Sequence, residues 1–438
     1  MKISVTLLLI LLLVVVLVAW VMLPWQGALV LAASLAAWLA ATRSGRRALS
    51  VANVGISTLG QRLGSSAVIV VGIAGVVGVL VAMLAMAEGY AETLRKTGSA
   101  DTAIVLRGAS AAEVMSGLDR DSLVQIAQTP GIAHDAKGEP LASAEIVVAA
   151  NLPLKDATGD DEGSVQMRGV GAGAWTVRPQ VRIVDGRKFT PGLRELIVGR
   201  GAAKQFAGLV PGHEVRLGSQ KWTVAGVFAS GDALESEIWA DGDVVAGTYE
   251  RGSSRNSVTV RLADPLGFAA FKTALEANPQ LKIDASTTLD YFSKQSEGTS
   301  KVIRVIGIVV GSIMAIGAMF GALNTMFAAV AARAREIATL RAIGFAGMPV
   351  VVAILLETML LALVGGVIGG AAAWLLFNGY AASTMAAGSV GKLSFELQVT
   401  AGVLWQGLKW ALAIGFIGGL FPAVRAATMP VTAALREL

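Results

Sequence analysis

An α-helical polytopic membrane protein with a large α+β extracytoplasmic domain is the fold class this sequence predicts. Three observations predict it. Of the 438 residues, 54% are hydrophobic and only 15% charged, a balance foreign to ordinary soluble domains. The apolar residues gather into runs of spanning length, since a transmembrane helix needs roughly 20 of them. Between two of these runs lie about 210 residues of mixed composition, enough for one or two compact domains.

The spans come first. Val5–Leu23 and Ala28–Ala41 read as a tight hairpin broken at Leu23-Pro24-Trp25, with Trp25 and Trp38 at the interfaces. Residues 1–45 are therefore an N-terminal transmembrane hairpin. The rival reading of Met1–Leu23 is a signal peptide, but the run is long for one and no small-x-small site follows it directly. Four further runs, Ser66–Ala87, Val305–Ala331, Pro349–Phe377 and Val399–Val424, place transmembrane helices in 65–87, 303–331, 346–377 and 399–424. That makes six spans.

Arginine placement orients them. One side carries Lys2, Arg43, Arg46, Arg47, Arg62, Arg333, Arg335, Arg341, Arg425 and Arg436. The short loop 378–398 on the other side carries only Lys392. Positive residues mark the cytoplasmic face. Both termini, including the tail 425–438, are thus expected inside an inner membrane, with 88–302 outside. The acidic stretch Asp156–Glu162 is no obstacle, because long domains translocate largely regardless of charge. Between the second and third spans, Ala52, Ile56, Leu59 and Leu63 recur at helical spacing, with Arg46, Arg47 and Arg62 off that face. Residues 46–64 read as an amphipathic helix in the inner interface; a solvated linker helix is the alternative.

The extracytoplasmic stretch begins strand (Thr102–Leu106), helix (Asp119–Gln128), strand (Ala144–Ala149). It ends strand (Ser257–Leu262), helix (Leu266–Ala277), strand (Leu281–Ala285). Two βαβ halves suggest a ferredoxin-like split unit. Between them, about 155–254, lie glycine and short β runs, read as an inserted β-rich module with a hairpin turn at Leu217-Gly218-Ser219-Gln220.

Several chemistries find no support. Zero cysteines excludes disulfides and thiol chemistry, and two histidines, His134 and His213, leave little for a metal site. No G-x-x-x-x-G-K-[ST] phosphate loop occurs; Gly388-Ser389-Val390-Gly391-Lys392 has the wrong spacing, and Gly169-x-Gly171-x-Gly173 lacks a fingerprint helix. No catalytic or metal-ligating set is selected, and the chain is expected not to be an enzyme by itself. A pI near 9.5 reflects arginines beside the spans rather than nucleic-acid binding.

Polar groups inside the spans are few. Glu357 lies about ten residues into the fifth span and Asn324 near the inner end of the fourth. Such groups are expensive in lipid. A packing hydrogen bond is the favoured reading, a substrate or proton relay the rival. Gly365, Gly366, Gly369 and Gly370 repeat at four-residue spacing and let another helix approach, in the same chain or a second copy. Lys409, in the outer part of the last span, is read as snorkelling with no special role.

The segment Ala332–Phe345, "ARAREIATLRAIGF", interrupts this apolar context with three arginines and a glutamate. On a helix Arg333, Glu336, Ile337 and Leu340 share one side, which mixes charge with apolar surface and suits a protein groove. Gly344 is a helix stop. An arginine-rich loop that only sets topology accounts for the residues equally well.

These residues carry a resemblance. "ARAREIATLRAIGF" followed by a span with Glu357 resembles the cytoplasmic coupling segment of MacB/FtsX-type ABC transporter permeases, and "FPAVRAATMPVTAALREL" resembles that family's C-terminus. "VRIVDGRKF", "ELIVGRGAAKQFAGLVPGHEVRLGSQKWTVAGVF" and "ESEIWAD" resemble its periplasmic core domain. The resemblance covers about residues 48 to 438. The N-terminal hairpin departs from the family's four spans, and the ATPase fused in some members is missing.

What the resemblance implies is a permease subunit without its own nucleotide site. It pairs with a second copy or a paralogue above cytoplasmic ABC ATPase subunits that bind ATP and Mg. The coupling helix, residues 332–345, passes on the ATPase stroke, and the extracytoplasmic domain does the mechanical work. Arg333, Glu336, Ile337, Leu340 and Arg341 are the expected ATPase-coupling contacts, with Arg335 a weaker one. Export with a periplasmic adaptor and an outer-membrane exit protein is the leading expectation. Lipoprotein release and regulation of a cell-wall hydrolase are the alternatives.

Overall fold

The structure is a computed structural model and describes residues 15–16, 19–57, 60, 63–155, 161–278, 280–385 and 390–430. Most of the expected span Val5–Leu23 lies outside the described residues, as do Leu59, Arg62, Arg436 and most of Asp156–Glu162. The chain divides into two compact units. One comprises Met1–Ala85, Ile303–Asn378 and Gln398–Leu438; the other comprises Met86–Val302 and Gly379–Leu397.

Among the described residues four helices are long and apolar enough to cross a membrane. They lie in Ser66–Thr97, Thr288–Ala332, Gly347–Phe377 and Ala401–Thr428. Two of them outrun their apolar stretches. The helix from Leu63 ends only at Thr97, and the 45-residue helix from Thr288 begins well before its apolar run, where the Thr287 hydroxyl accepts from the Asp290 N–H at 3.0 Å and caps it. The second expected span appears as a 17-residue helix, Trp25–Ala41. It turns through 96° into Arg43–Ser57. Thr42 makes that elbow: its hydroxyl donates to the Trp38 carbonyl and accepts from the Gly45 N–H, both at 2.9 Å.

Lipid supplies no hydrophobic drive between helices, so close packing must hold them together. The glycines of Gly347–Phe377 meet two neighbours. A Cβ on Gly365 would stand 2.8 Å from the Val70 carbonyl, and one on Gly369 would collide with the Ala74 carbonyl. On another side, a Cβ on Gly366 would stand 2.8 Å from Ala411 Cβ, and one on Gly370 would stand 3.2 Å from Leu404. The four-residue spacing thus serves contacts within one chain.

In the second unit the strands are β1 (Thr102–Arg107), β2 (Ala142–Pro153), β3 (Glu162–Val170), β4 (Arg182–Gly186), β5 (Glu195–Gly199), β6 (Glu214–Leu217), β7 (Gln220–Ala229), β8 (Glu237–Asp241), β9 (Ser257–Arg261) and β10 (Ile283–Thr287). Their order is β10-β1-β9-β2-β3-β8-β5-β7-β4, with β6 paired to β7. The first four are antiparallel throughout. Helix Arg120–Ala127 lies between β1 and β2, and Phe268–Glu276 between β9 and β10, which is the split βαβ arrangement. Asp119 caps the first helix, accepting from Ser122 N–H at 2.8 Å.

The β-rich stretch differs from a free-standing insertion. Ala142–Glu145 of β2 pairs with β9, while Ile146–Pro153 pairs with β3. One strand therefore serves both parts, and its register ties the two parts of the sheet together. The β6–β7 hairpin turns at Gly218, whose φ of +58° suits glycine. The short loop 378–398 also carries structure: β11 (Ala381–Met385) and β12 (Lys392–Glu396) pair and belong to this unit. Phe395 meets Tyr90 edge-on at 5.6 Å.

A buried ion cluster crosses the shared region. Arg168 on β3 is 1% exposed. It bonds Glu113 at 2.9 Å, Glu145 at 2.8 Å and both oxygens of Glu237 at 2.8 Å. Trp239 Nε1 and Ser257 Oγ donate to Glu237 and Glu113, and Arg178 pairs with Glu145. Burial alone would raise the Glu145 carboxyl; Arg178 and Arg168 overcome it and hold it below the ordinary range. Asp232, nearby in sequence to Glu237, is pushed up by burial.

Removing the one cation at the centre of this cluster leaves buried carboxylates unpaired. Arg168→Met is expected to destabilise the unit by about 3–5 kcal/mol, read as a lower denaturation midpoint of tryptophan fluorescence in detergent. Gly369→Val inserts atoms into a helix contact with no room. A loss of about 1–3 kcal/mol is expected in the thermal stability of the solubilised chain, whereas Gly317→Ala, whose Cβ would meet nothing within 4 Å, should leave that stability unchanged.

Candidate functional site

Arg333 breaks the long helix that ends at Ala332; its φ of −106° and ψ of 11° are not helical. A new helix, Ala334–Ala342, follows. Glu336 in its first turn and Arg341 in its last match the helix dipole. The stop is at Gly344, with φ +101°. Gly344 N–H returns to the Arg341 carbonyl and Phe345 N–H to the Leu340 carbonyl, at 3.2 and 3.1 Å. This is a Schellman cap. Leu340 and Phe345 then pack together on Val51, Ala52 and Ala353, the apolar contact that such a cap favours.

The charged groups are only in part free. Arg333 Nη1 lies 3.1 Å from Glu357 Oε2, and its Nε lies 3.2 Å from Glu336. Glu357 is 5% exposed. A Cβ on Gly55 would stand 2.8 Å from Glu357 Oε2 and 3.2 Å from Arg333 Nη1, so glycine is needed where helix Arg43–Ser57 covers the pair. Arg341 donates to the Met429 carbonyl, and Arg47 lies over the Phe345 ring at 6.0 Å.

The predicted residues therefore divide. Ile337 is buried, Leu340 is half-buried, and Arg333 and Arg341 are held by partners within the chain. Arg335 and Glu336 are exposed. The single mixed face expected of Arg333, Glu336, Ile337 and Leu340 splits: its apolar members anchor the helix, and its polar members border a groove. This groove, about 670 Å³, runs from Val51 and Val54 to Arg335, Glu336 and Thr339, with Glu357 in its floor. Asn324 is exposed and has no hydrogen bond among the described contacts, so the packing bond expected of it is not made within one chain. Glu357 is bonded to a coupling-segment arginine rather than to a neighbouring span.

Sequence reasoning missed the second wall. The predicted apolar face of 46–64 holds only partly. Gly45, Ala48, Val51, Ala52 and Gly55 are buried in a helix that ends at Ser57, while Ile56 and Leu63 are 37% and 70% exposed. The small residues were the available signal: spacing of three and four puts Gly45, Ala48, Ala52 and Gly55 on one stripe. Elsewhere, Gly169 and Gly173 serve close packing, against Gly242 and against the Ala142 carbonyl. No group of three metal-ligating side chains occurs among the described residues.

Comparison with known proteins agrees with this architecture. A profile described as MacB-like periplasmic core domain matches residues 66–278, and one described as FtsX-like permease C-terminal matches residues 308–431. The ABC transporter permease YknZ of Bacillus subtilis is 25% identical over 307 residues, which are 67% of this chain and 75% of that protein. The macrolide export ATP-binding/permease protein MacB of Photorhabdus laumondii is 29% identical over 241 residues, 52% of this chain and 36% of that one. The match thus spans about a third of that MacB relative's length. The crystal structure of the periplasmic region of MacB from Actinobacillus actinomycetemcomitans aligns with 47% of this chain and 96% of its own, at 15% identity and a TM-score of 0.35. With both permease profiles matched in order along one multi-pass sequence, the chain belongs to the MacB/FtsX-type ABC transporter permeases, with an extracytoplasmic MacB-like core domain and an FtsX-like C-terminal domain.

Proposed function

We propose that this chain is the transmembrane subunit that couples ATP hydrolysis by a separate ATPase to movement of its extracytoplasmic domain, for export or efflux. The observation that carries this reading is the groove beside Ala334–Ala342. It is apolar at its walls, carries exposed Arg335 and Glu336 at its rim, and is braced from below by the Arg333–Glu357 pair. A mixed rim around an apolar slot suits a protein partner. ATP and Mg belong to that partner, in keeping with the lack of a phosphate-loop motif in this sequence. The arginine bias puts the groove and both termini in the cytoplasm.

In this reading the coupling helix works as a lever. The coupling helix is fixed at one end by Arg333 and at the other by its Gly344 cap, so a push on it reaches both helices that it joins. Helices Leu63–Thr97 and Thr288–Ala332 run unbroken beyond their apolar stretches, and they carry the stroke outward. A second permease copy or a paralogue completes the assembly. A periplasmic adaptor with an outer-membrane exit protein is the expected export route. A gene for a secreted peptidoglycan hydrolase beside this one, in place of an adaptor gene, would favour hydrolase regulation.

Glu336→Arg places a cation beside Arg333 and reverses the rim charge. The ATP-dependent signal of a fluorophore on Ser219→Cys, in an otherwise cysteine-free chain, should fall about tenfold while the protein still inserts. Unchanged ATPase co-purification together with an unchanged signal would remove the coupling assignment. The brace has its own test. Arg333→Met and Glu357→Met should each cost up to about 3–5 kcal/mol in the thermal stability of the solubilised chain, and the double variant less than their sum.

A further inference from the structure

Lys409 was expected to snorkel, but it is 5% exposed and turned into the protein. Its Nζ donates to the Val21 carbonyl at 2.5 Å and the Leu23 carbonyl at 3.1 Å. Its own carbonyl accepts from Trp20 Nε1 at 2.9 Å. These partners sit where the helical residues 19–22 stop. Pro24 follows, extended at φ −67° and ψ 159°, and the helix Trp25–Ala41 starts after it. A helix that stops leaves its last carbonyls without partners. In hydrocarbon that costs several kcal/mol per group. An ammonium between two such carbonyls satisfies them and is itself satisfied.

The depth of this contact follows from the neighbouring helix. A Cβ on Gly407 would stand 2.7 Å from Val81 and 3.1 Å from Val77, so the two helices meet there. Val81 and Val77 precede Ala87, the end of the apolar run before Glu88, by six and ten residues. At 1.5 Å per residue that is about 9–15 Å inside the run. Lys409 lies half a turn further in, and its side chain leans back toward its own N-terminus, returning the ammonium to about that level.

We infer that the Leu23-Pro24 turn lies inside the bilayer rather than at its outer surface, and that Lys409 is the residue that caps it. Lys409 also acts at a distance. Trp25–Ala41 is joined to Arg43–Ser57 through the hydrogen-bonded Thr42 elbow. Holding the turn fixes the helix that lays Gly55 on the Arg333–Glu357 pair and Val51 on Leu340. Lys409 is thus a positioning residue for the groove, and the N-terminal element is part of the permease.

The native lack of cysteine makes the test direct. Trp25→Cys and, as a reference in the extracytoplasmic β11–β12 hairpin, Ser383→Cys are exposed to a membrane-impermeant maleimide from outside in sealed vesicles. A turn buried in lipid should react at least about tenfold more slowly than the reference. Equal rates mean that the turn reaches the outer surface, and the inference fails without Lys409 having been touched. Separately, Val51→Cys with Leu340→Cys should cross-link on oxidation. Adding Lys409→Met should reduce the cross-link severalfold, and Lys409→Arg should preserve it. A cross-link indifferent to Lys409→Met, or one lost equally with Lys409→Arg, would overturn the positioning role.

Discussion

Hydrocarbon offers no hydrogen-bond partner and no screening, so a charged group buried within the membrane unit is costly unless it finds its partner inside the protein. That constraint organises the unit. Glu357 is bonded to Arg333, and the arginine sits at the break that starts the coupling helix. The cost of a carboxylate in the span and the placement of the helix are therefore one interaction. Lys409 and the carbonyls at the Leu23-Pro24 turn answer the same constraint at another depth. The glycines of Gly347–Phe377 answer its corollary: with no hydrophobic drive between helices, backbones must come close. Gly55 combines both roles, since only a bare backbone fits over the ion pair.

The extracytoplasmic unit is built by the opposite rule. It has apolar cores on both parts of its sheet and draws stability from removing that surface from water. Yet its centre is ionic. Arg168, Glu113, Glu145 and Glu237 come from β3, the β1–β2 connection, β2 and β8. Attraction at that depth is repaid only with near-complete hydrogen bonding, and here the guanidinium uses all three of its nitrogens. The cluster bridges the strands around β2, the strand that belongs to both parts of the sheet, so register there is held by charge as well as by backbone pairing.

Around the helix Ala334–Ala342 the consequence is a division of roles among neighbouring residues. Ile337 and Leu340 are turned into the fold, Arg333 and Arg341 are tied to partners within the chain, and Arg335 and Glu336 stay exposed, Glu336 in an ion pair with Arg333. A helix held at both ends suits the coupling role proposed for it.

Periodicity and length were enough to mark Ser66–Ala87, Val305–Ala331, Pro349–Phe377 and Val399–Val424, because a bilayer demands a long apolar run whatever the helix packs on. The two βαβ halves were legible because alternation and capping are local, as at Asp119 and at the Gly218 turn. The coupling helix was legible because its charges stand out against apolar sequence, and its cap at Gly344 needs only a glycine. Which of its residues face inward was not, since one helical face reads alike whether a protein core or a partner covers it. The shared strand β2, the contact of the 378–398 hairpin with Tyr90 and the Lys409 contact with Val21 and Leu23 were also beyond the sequence. Each depends on residues far apart in the chain, 388 positions in the case of Lys409 and Val21, and no local pattern encodes which distant backbone a side chain will meet. The sequence by itself determined where the apolar spans and the charged segment between them lie; the tertiary structure decided which charges are paired inside the fold and which stay exposed, because that pairing joins residues distant in the chain.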